Sequence, residues 1–324
     1  MAVYTRVSDA ALADFLAAYD LGNALGFKGI AEGVENSNYF LETDTGRYIL
    51  TLFEKRVSAS DLPYFIALKQ HLAAKGFPCP EPIAGKDGST LRQLEGRPAV
   101  IVSFLNGLSP IRPNALQCRN LGIGLAKLHA ALADFPQTRP NTLGPKAWPE
   151  LWHGREQFAD SLQAGLADAI DTDLQAIAAA GLATHSLPVG TIHADLFPDN
   201  AFFLGDSFSG AIDFYFACTG ALAYDLAICL NAWAFEADGA YNYSNGMNLI
   251  AGYQSVRPLQ ADELDMLPVL CRGAALRFFL TRLIDLAETP ADALVKPHDP
   301  LVFAKRLAFH RHARFAKDYG ATPF

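Results

Sequence analysis

The sequence predicts an α+β chain in two lobes: a small, mostly antiparallel sheet lobe carrying one helix, then a larger, mainly helical lobe. Three observations carry this. The first hundred residues read as short strands separated by turn signals, with one helical pattern at 60–75. Long helical stripes dominate from 114 onward. A strand, turn, strand unit at 189–214 interrupts those helices and holds the densest cluster of chemistry-bearing residues. The expected division is a sheet lobe over 1–103, a hinge over 104–108 and a helical lobe over 109–324, with the crevice between lobes as the default ligand site.

Each element has its own signal. Leu12, Phe15, Leu16 and Tyr19 follow helical spacing over 9–20, with Asp9 as the expected cap. Residues 26–38 read as a glycine-punctuated turn between strands. Residues 38–43 and 47–53 read as strands joined by the hairpin turn Asp44-Thr45-Gly46. Leu62, Phe65, Ile66, Leu68, Lys69 and Leu72 mark the inserted helix, which Gly76 stops. Pro78, Pro80 and Pro82 make an extended connector, and 90–94 and 98–104 read as two more strands around Glu95-Gly96-Arg97. Leu116, Leu121, Leu125 and Leu128 place a helix over 114–134; 147–181 and 220–285 are also mainly helical.

Composition bounds the function. Of 324 residues, 51% are hydrophobic and 19% charged, enough for a sizeable core and incompatible with a disordered chain. A formal net charge of −8 argues against nucleic acid as a partner, because phosphate contacts need clustered Lys and Arg. Met1 to Asp20 carries Asp9, Asp14 and Asp20 and lacks the pattern of a signal peptide. The apolar stretch Gly210 to Trp233 is broken by Asp213 and Asp225, which argues against a membrane span. Cys79, Cys118, Cys218, Cys229 and Cys271 are scattered without a Cys-x-x-Cys pair, as expected for reduced thiols of a cytoplasmic protein. His310 and His312 lack acidic or Cys partners at metal-ligand spacing and are assigned to the surface or a helix end.

The chemistry sits in Thr191-Ile192-His193-Ala194-Asp195-Leu196-Phe197-Pro198-Asp199-Asn200, followed by Ala211-Ile212-Asp213-Phe214. His-x-Asp with Asn five residues after the Asp matches the protein-kinase catalytic loop. A second acid on the next strand matches the metal-binding Asp of that template. Phosphoryl transfer needs one carboxylate at the attacking hydroxyl, and a second carboxylate and an amide oxygen to hold Mg²⁺ against the phosphates. Asp195 and His193 are therefore the catalytic candidates, His193 as a brace of the loop backbone, and Asn200 and Asp213 are the metal candidates. Taken singly, each of these residues has an ordinary turn or capping explanation; their conjunction at fixed spacing is what points to a kinase.

These segments resemble the aminoglycoside phosphotransferase-like superfamily of small-molecule kinases, which implies the bilobal protein-kinase-like fold. The likeness spans Glu35 to Phe40, Leu50 to Lys55, the 193–200 loop, 212–228, Arg257-Pro258-Leu259 and 272–278. The 212–228 and 272–282 segments are similar to its homoserine kinase branch. The resemblance implies ATP as co-substrate, Mg²⁺, and L-homoserine as the acceptor, giving O-phosphohomoserine for threonine biosynthesis. It also places nucleotide contacts at Gly33, Asn36, Ser37, Asn38, Lys55 and the hinge residues Ser103, Phe104 and Leu105, with Val34, Leu50 and Ile212 about the adenine.

The chain departs from the protein-kinase template at several points. The 26–38 loop is not Gly-x-Gly-x-x-Gly, and Thr51 falls where the strand Lys belongs, leaving Lys55 or Lys28 as replacements. Pro63-Tyr64-Phe65 fills the first turn of the inserted helix, which therefore offers no Glu there for the Lys–Glu pair of protein kinases. Of Arg272, Arg277 and Arg282, Arg277 is the candidate for the substrate carboxylate, with an ion pair to an acid such as Asp285 as the alternative; Asp225 is read as a loop brace, and Tyr224, Asn231 and Trp233 as possible pocket lining. Two other readings stay open. A related kinase acting on an aminoglycoside or choline would show an acid-lined pocket or an aromatic cage. A non-catalytic nucleotide-binding module would be expected to have lost Asp195, Asn200 or Asp213.

Overall fold

The computed structural model describes residues 4–30, 36–54, 58–182, 186–290 and 296–321. The chain divides into two compact units, 1–106 and 107–324.

The first unit opens with helix α1 (Asp9–Leu16), which buries Leu12, Phe15 and Leu16. Its cap is Ser8, whose hydroxyl accepts from the Ala11 amide, so the expected cap Asp9 lies instead in the first turn, where its charge favours the helix dipole. Strands β1 (Ala24–Gly29), β2 (Asn36–Thr43), β3 (Gly46–Phe53), β4 (Arg92–Leu94) and β5 (Arg97–Ser103) form one antiparallel sheet in the order β1-β2-β3-β5-β4. Residues 26–29 are thus strand rather than the expected turn. β1 is an edge strand with no fully buried residue, so it carries no apolar alternation by which to recognise it. Leu41, Leu50, Leu52 and Ile101 pack with α1 in the core of this unit. Helix α2 (Leu62–Ala74) has Pro near its start, no acid in its first turn and a left-handed Gly76 after its end.

In the second unit, α3 (Ala115–Ala131) starts at a reciprocal cap between Asn114 and Gln117. Then come α4 (Trp148–Trp152), α5 (Glu156–Leu162) and α6 (Leu166–Ala179). Strand β6 (Val189–Ile192) pairs antiparallel with β9 (Cys218–Ala221), and between them lies the hairpin of β7 (Ala201–Leu204) and β8 (Ser207–Ala211). Helices α7 (Leu222–Trp233), α8 (Tyr243–Gln254), α9 (Ala261–Glu288) and α10 (Leu301–His310) complete it. Gly122 on α3 and Gly252 on α8 let these two helices touch backbone to backbone: a Cβ on Gly122 would lie 2.1 Å from the Leu249 carbonyl oxygen, and one on Gly252 2.0 Å from that of Arg119. Among the described residues no helix is long and apolar enough to cross a membrane, and all five cysteines are free and buried.

His310 is at a helix end, as expected, but not at the surface: only 2% of it is exposed. Its Nδ1 accepts from the Tyr319 hydroxyl (2.8 Å) and its Nε2–H donates to Asn231 Oδ1 (3.0 Å). Burial, with the charges of Arg306 and Arg272, pushes its pKa down to about 3. The ring is therefore a neutral, fully bonded core group, while His312 is exposed.

Candidate active site

The loop after β6 is built on strain held by α7. Ala194 has φ 62°, the left-handed region, at a cost of about 1–3 kcal/mol for a non-glycine residue. Asp225, with no exposed surface, accepts the backbone N–H of His193 and of Ala194, each at 2.8 Å. The Ala194 carbonyl accepts from the Arg277 guanidinium. Both polar groups of the strained residue are thus clamped. Asp225, Cys229 and Trp233 recur every fourth residue, on one face of α7. Cys229 Sγ (3.7 Å) and Trp233 Nε1 (2.9 Å) both donate to the Leu196 carbonyl, fixing the next turn of the loop.

His193 is fully buried, with both ring nitrogens committed. Nε2–H donates to the Ile212 carbonyl (2.9 Å), and Nδ1 accepts from the Asp195 amide (3.2 Å). Burial pushes its pKa down. A neutral ring with no free lone pair cannot exchange protons with a substrate, so His193 acts as the brace between loop and strand.

The hairpin brings the other two candidates to this loop. A short 3-10 turn over Pro198–Asn200 leads into β7. The ladder Ala201 to Ala211 is extended by Ile212 N–H donating to the Asn200 carbonyl (2.9 Å), which sets Asn200 beside the segment carrying Asp213. Asp213 is also left-handed, φ 59°. Asn200 Nδ2 donates to the Asp195 carbonyl (2.8 Å) and to Asp195 Oδ2 (3.2 Å). This ties Asp195 to Asn200 and leaves the amide Oδ1 as the atom to offer a cation. Among the described residues there is no cluster of three or more His, Cys, Asp or Glu for a metal. One carboxylate and one amide oxygen still fit Mg²⁺, which takes few protein oxygens and completes its shell with water and phosphate.

Behind Asp225 runs a relay that sequence spacing did not reveal. His129 on α3 donates Nε2–H to Asp225 Oδ2 (3.1 Å) and accepts at Nδ1 from the Tyr253 hydroxyl (2.8 Å). Tyr253 accepts from Arg257 (3.2 Å), which forks onto the buried Glu263 (3.0 and 3.1 Å). Burial would push the Asp225 carboxyl up, but the hydrogen bonds from His129 and the His193 amide prevail, and its pKa is lowered.

Other expected residues are placed differently. Arg277 is 3% exposed, held by the Ala194 carbonyl and lying against the Phe216 and Phe278 rings (5.4 and 4.4 Å). It supports the catalytic turn through that carbonyl, while its Nε is buried without a hydrogen-bond partner. Arg272 pairs with the buried Asp173, which Arg311 shares. Asn231 and Trp233 are core residues: Asn231 Nδ2 donates to the Ala227 and Cys271 carbonyls, and Tyr224 is likewise buried.

In the first unit, Ser37 Oγ accepts the amides of Tyr4 and Thr5 and donates to Glu54, Asn38 Oδ1 accepts from Thr51, and Asn36 Oδ1 from the Glu54 amide. These side chains stabilise the sheet, and their backbone lies in the β2–β3 ladder. Ser103 ends β5, with its hydroxyl accepting from the Glu81 amide; Phe104 donates its amide to the Arg47 carbonyl, and half-buried Leu105 follows. Lys28 is exposed on β1 and Leu50 is fully buried in the core. Gly33, Val34 and Lys55 lie outside the described residues.

Comparisons with known proteins place the chain among kinases. A homoserine kinase of Hyphomonas neptunium is 66% identical over 328 residues, covering 99% of this chain and all of that protein. One of Methylobacterium radiotolerans is 59% identical, covering 99% of each. Among solved structures, a microcompartment-associated aminopropanol kinase superposes with TM-score 0.67 at 20% identity, over 96% of this chain and 99% of that one. A spectinomycin phosphotransferase solved with ADP and spectinomycin gives 0.66 at 13%, over 98% of each. These likenesses show the protein-kinase-like fold. The model of the phosphotransferase enzyme family matches residues 26–259. The chain belongs to the phosphotransferase enzyme family.

Proposed function

We infer that this chain is a homoserine kinase, transferring the γ-phosphoryl group of ATP to the side-chain hydroxyl of L-homoserine. The observation that carries the phosphotransfer chemistry is the clamped loop: Asp195 tied to Asn200, beside the segment bearing Asp213, on a turn whose strain Asp225 and Arg277 hold. The acceptor is supported by the full-length identity to homoserine kinases.

In this reading Asp195 accepts a hydrogen bond from the substrate hydroxyl and aims it in line with the phosphoryl group. Aspartate carboxylates, with a reference pKa near ~3.9, are weak bases for an alcohol, so the main work is orientation, with the proton leaving late. Asn200 and Asp213 would hold Mg²⁺, which neutralises phosphate charge when bound. The Asn200 bond to Asp195 keeps the amide oxygen and the carboxylate in register before substrate arrives, so less ordering is required in the transition state. The Ser103–Leu105 backbone is assigned to the adenine, and the cation for the phosphates to Lys55.

A coupled ADP-release assay with homoserine, choline and an aminoglycoside tests the reading. Turnover is expected with homoserine. Asp195→Ala should lose about 10²–10⁴-fold in kcat while still binding ATP. Turnover with choline or the aminoglycoside and none with homoserine would overturn the acceptor, and an Asp195→Ala enzyme of normal rate would overturn the role of the loop.

A further inference from the structure

Beside the catalytic loop, two guanidiniums share one aromatic ring, and among the described residues neither forms an ion pair with a carboxylate. The Cζ atoms of Arg282 on α9 and Arg306 on α10 lie 4.6 and 4.4 Å from the ring centre of Phe303. Phe303 is fully buried and stacks on Phe278 (5.3 Å, 23°). Phe197, two residues beyond Asp195, packs on Phe278 (4.7 Å) and approaches Phe303 (6.4 Å). The ring that carries both arginines is thus part of the support of the catalytic loop.

Three other half-buried arginines of this unit pair with acids: Arg257 has Glu263, and Arg272 and Arg311 share Asp173. Arg306 has no such acid among the described residues. Its Nη1 is buried without a hydrogen-bond acceptor, as is Arg277 Nε, and the polar contact of Arg282 is a long one, 3.4 Å from Nη1 to the Asp299 carbonyl. Burial, reinforced by the Arg282 charge, pushes the Arg306 pKa down to about 10. Burial also lowers that of Arg282, against the pull of Asp195, Asp299 and Asp199. A ring face offsets part of the lost hydration of a cation, but it cannot satisfy N–H donors. What completes such a site is a planar anion able to accept from two forks at once, which describes a carboxylate.

We propose that Arg282 and Arg306 bind the α-carboxylate of the amino-acid substrate while its hydroxyl lies at Asp195. This rests on the homoserine reading above and gives the substrate a second point of attachment. The carboxylate supplies the direct ion pair that neither arginine has among the described residues, so an amino alcohol without it would leave the Arg306 Nη1 donor unmet. The site therefore selects for amino acids over simple amino alcohols.

The test is steady-state kinetics of the wild type, Arg306→Met and Arg306→Lys. The acceptors are homoserine and 3-aminopropan-1-ol, which is homoserine without its carboxylate. L-2-Aminobutyrate, which keeps the carboxylate and lacks the hydroxyl, serves as inhibitor. Arg306→Met is expected to raise the homoserine KM by about 30-fold or more. The wild-type preference for homoserine over 3-aminopropan-1-ol should fall by the same factor, as should inhibition by L-2-aminobutyrate, and Arg306→Lys should restore part of each. Equal losses on both acceptors, or an unchanged homoserine KM and inhibition constant, would reduce the arginines to a packing role and overturn the subsite alone. A wild type that phosphorylates 3-aminopropan-1-ol but not homoserine would overturn the acceptor and the subsite together.

Discussion

Asp225→Asn isolates what the buried acid does for the loop. The carboxylate accepts three hydrogen bonds, from the His193 and Ala194 amides at 2.8 Å and from His129 at 3.1 Å. Asparagine keeps the shape but replaces one acceptor oxygen with an NH₂ that meets an N–H donor. Charge-assisted bonds of this kind are worth about 1.5–3 kcal/mol each, and an uncompensated group left in a buried ionic site costs about 3–5 kcal/mol. A loss of about 3–5 kcal/mol in unfolding free energy is therefore expected, measured by urea denaturation with an unchanged m value. The left-handed Ala194, strained by about 1–3 kcal/mol, would lose one of its two clamps, and Asp195 with it. At about tenfold per 1.4 kcal/mol, kcat should fall about 10–100-fold while the ATP KM changes little. Because the folded pKa of Asp225 is lowered, its stabilisation is present above the unfolded carboxylate pKa, about 3.9, and is lost as pH falls below that value. Acid unfolding in that range should be shallower in the variant. Stability within about 0.5 kcal/mol of the wild type and kcat within twofold would refute the reasoning, since a merely space-filling residue would behave so.

Three further outcomes follow from the same structure. Gly122→Ala, which drives a methyl to 2.1 Å from the Leu249 carbonyl oxygen, should cost about 1–3 kcal/mol or more in a thermal or urea melt; a neutral result would mean that α3 and α8 can separate freely. His310 is neutral when folded, with a pKa of about 3, and binds a proton below about 6.5 when unfolded, so stability should fall as pH drops from about 6.5 towards 3, by up to about 1.4 kcal/mol per unit. His310→Gln should flatten that slope in pH-dependent urea melts, and an unchanged slope would assign it to other groups. Asp213→Asn should raise the Mg²⁺ concentration for half-maximal activity by about 10–150-fold, the equivalent of one charge-assisted contact, and an unaltered Mg²⁺ titration would remove Asp213 from the metal site.

The sequence by itself determined what depends on short spacing. His193, Asp195 and Asn200 belong to one loop, Asp213 follows two residues past the end of β8 and not on a strand as expected, and the turn signals of Asp44-Thr45-Gly46 and Gly76 end their elements where expected. Such features were legible because a loop of fixed length can present its side chains in few ways. Folding decided the rest. His129 meets Asp225 across 96 positions, and Arg277 reaches the Ala194 carbonyl across 83. No local pattern marks those partners, so Arg277 looked like a substrate ligand until its carbonyl was seen. The same holds for His310, whose neutrality comes from Tyr319 and Asn231 closing around it, and for Arg282 and Arg306, which share Phe303 only once α9 and α10 pack together. Charge and hydrogen-bonding capacity are written residue by residue, but whether a polar group is satisfied or left seeking a ligand is a property of what the fold puts beside it.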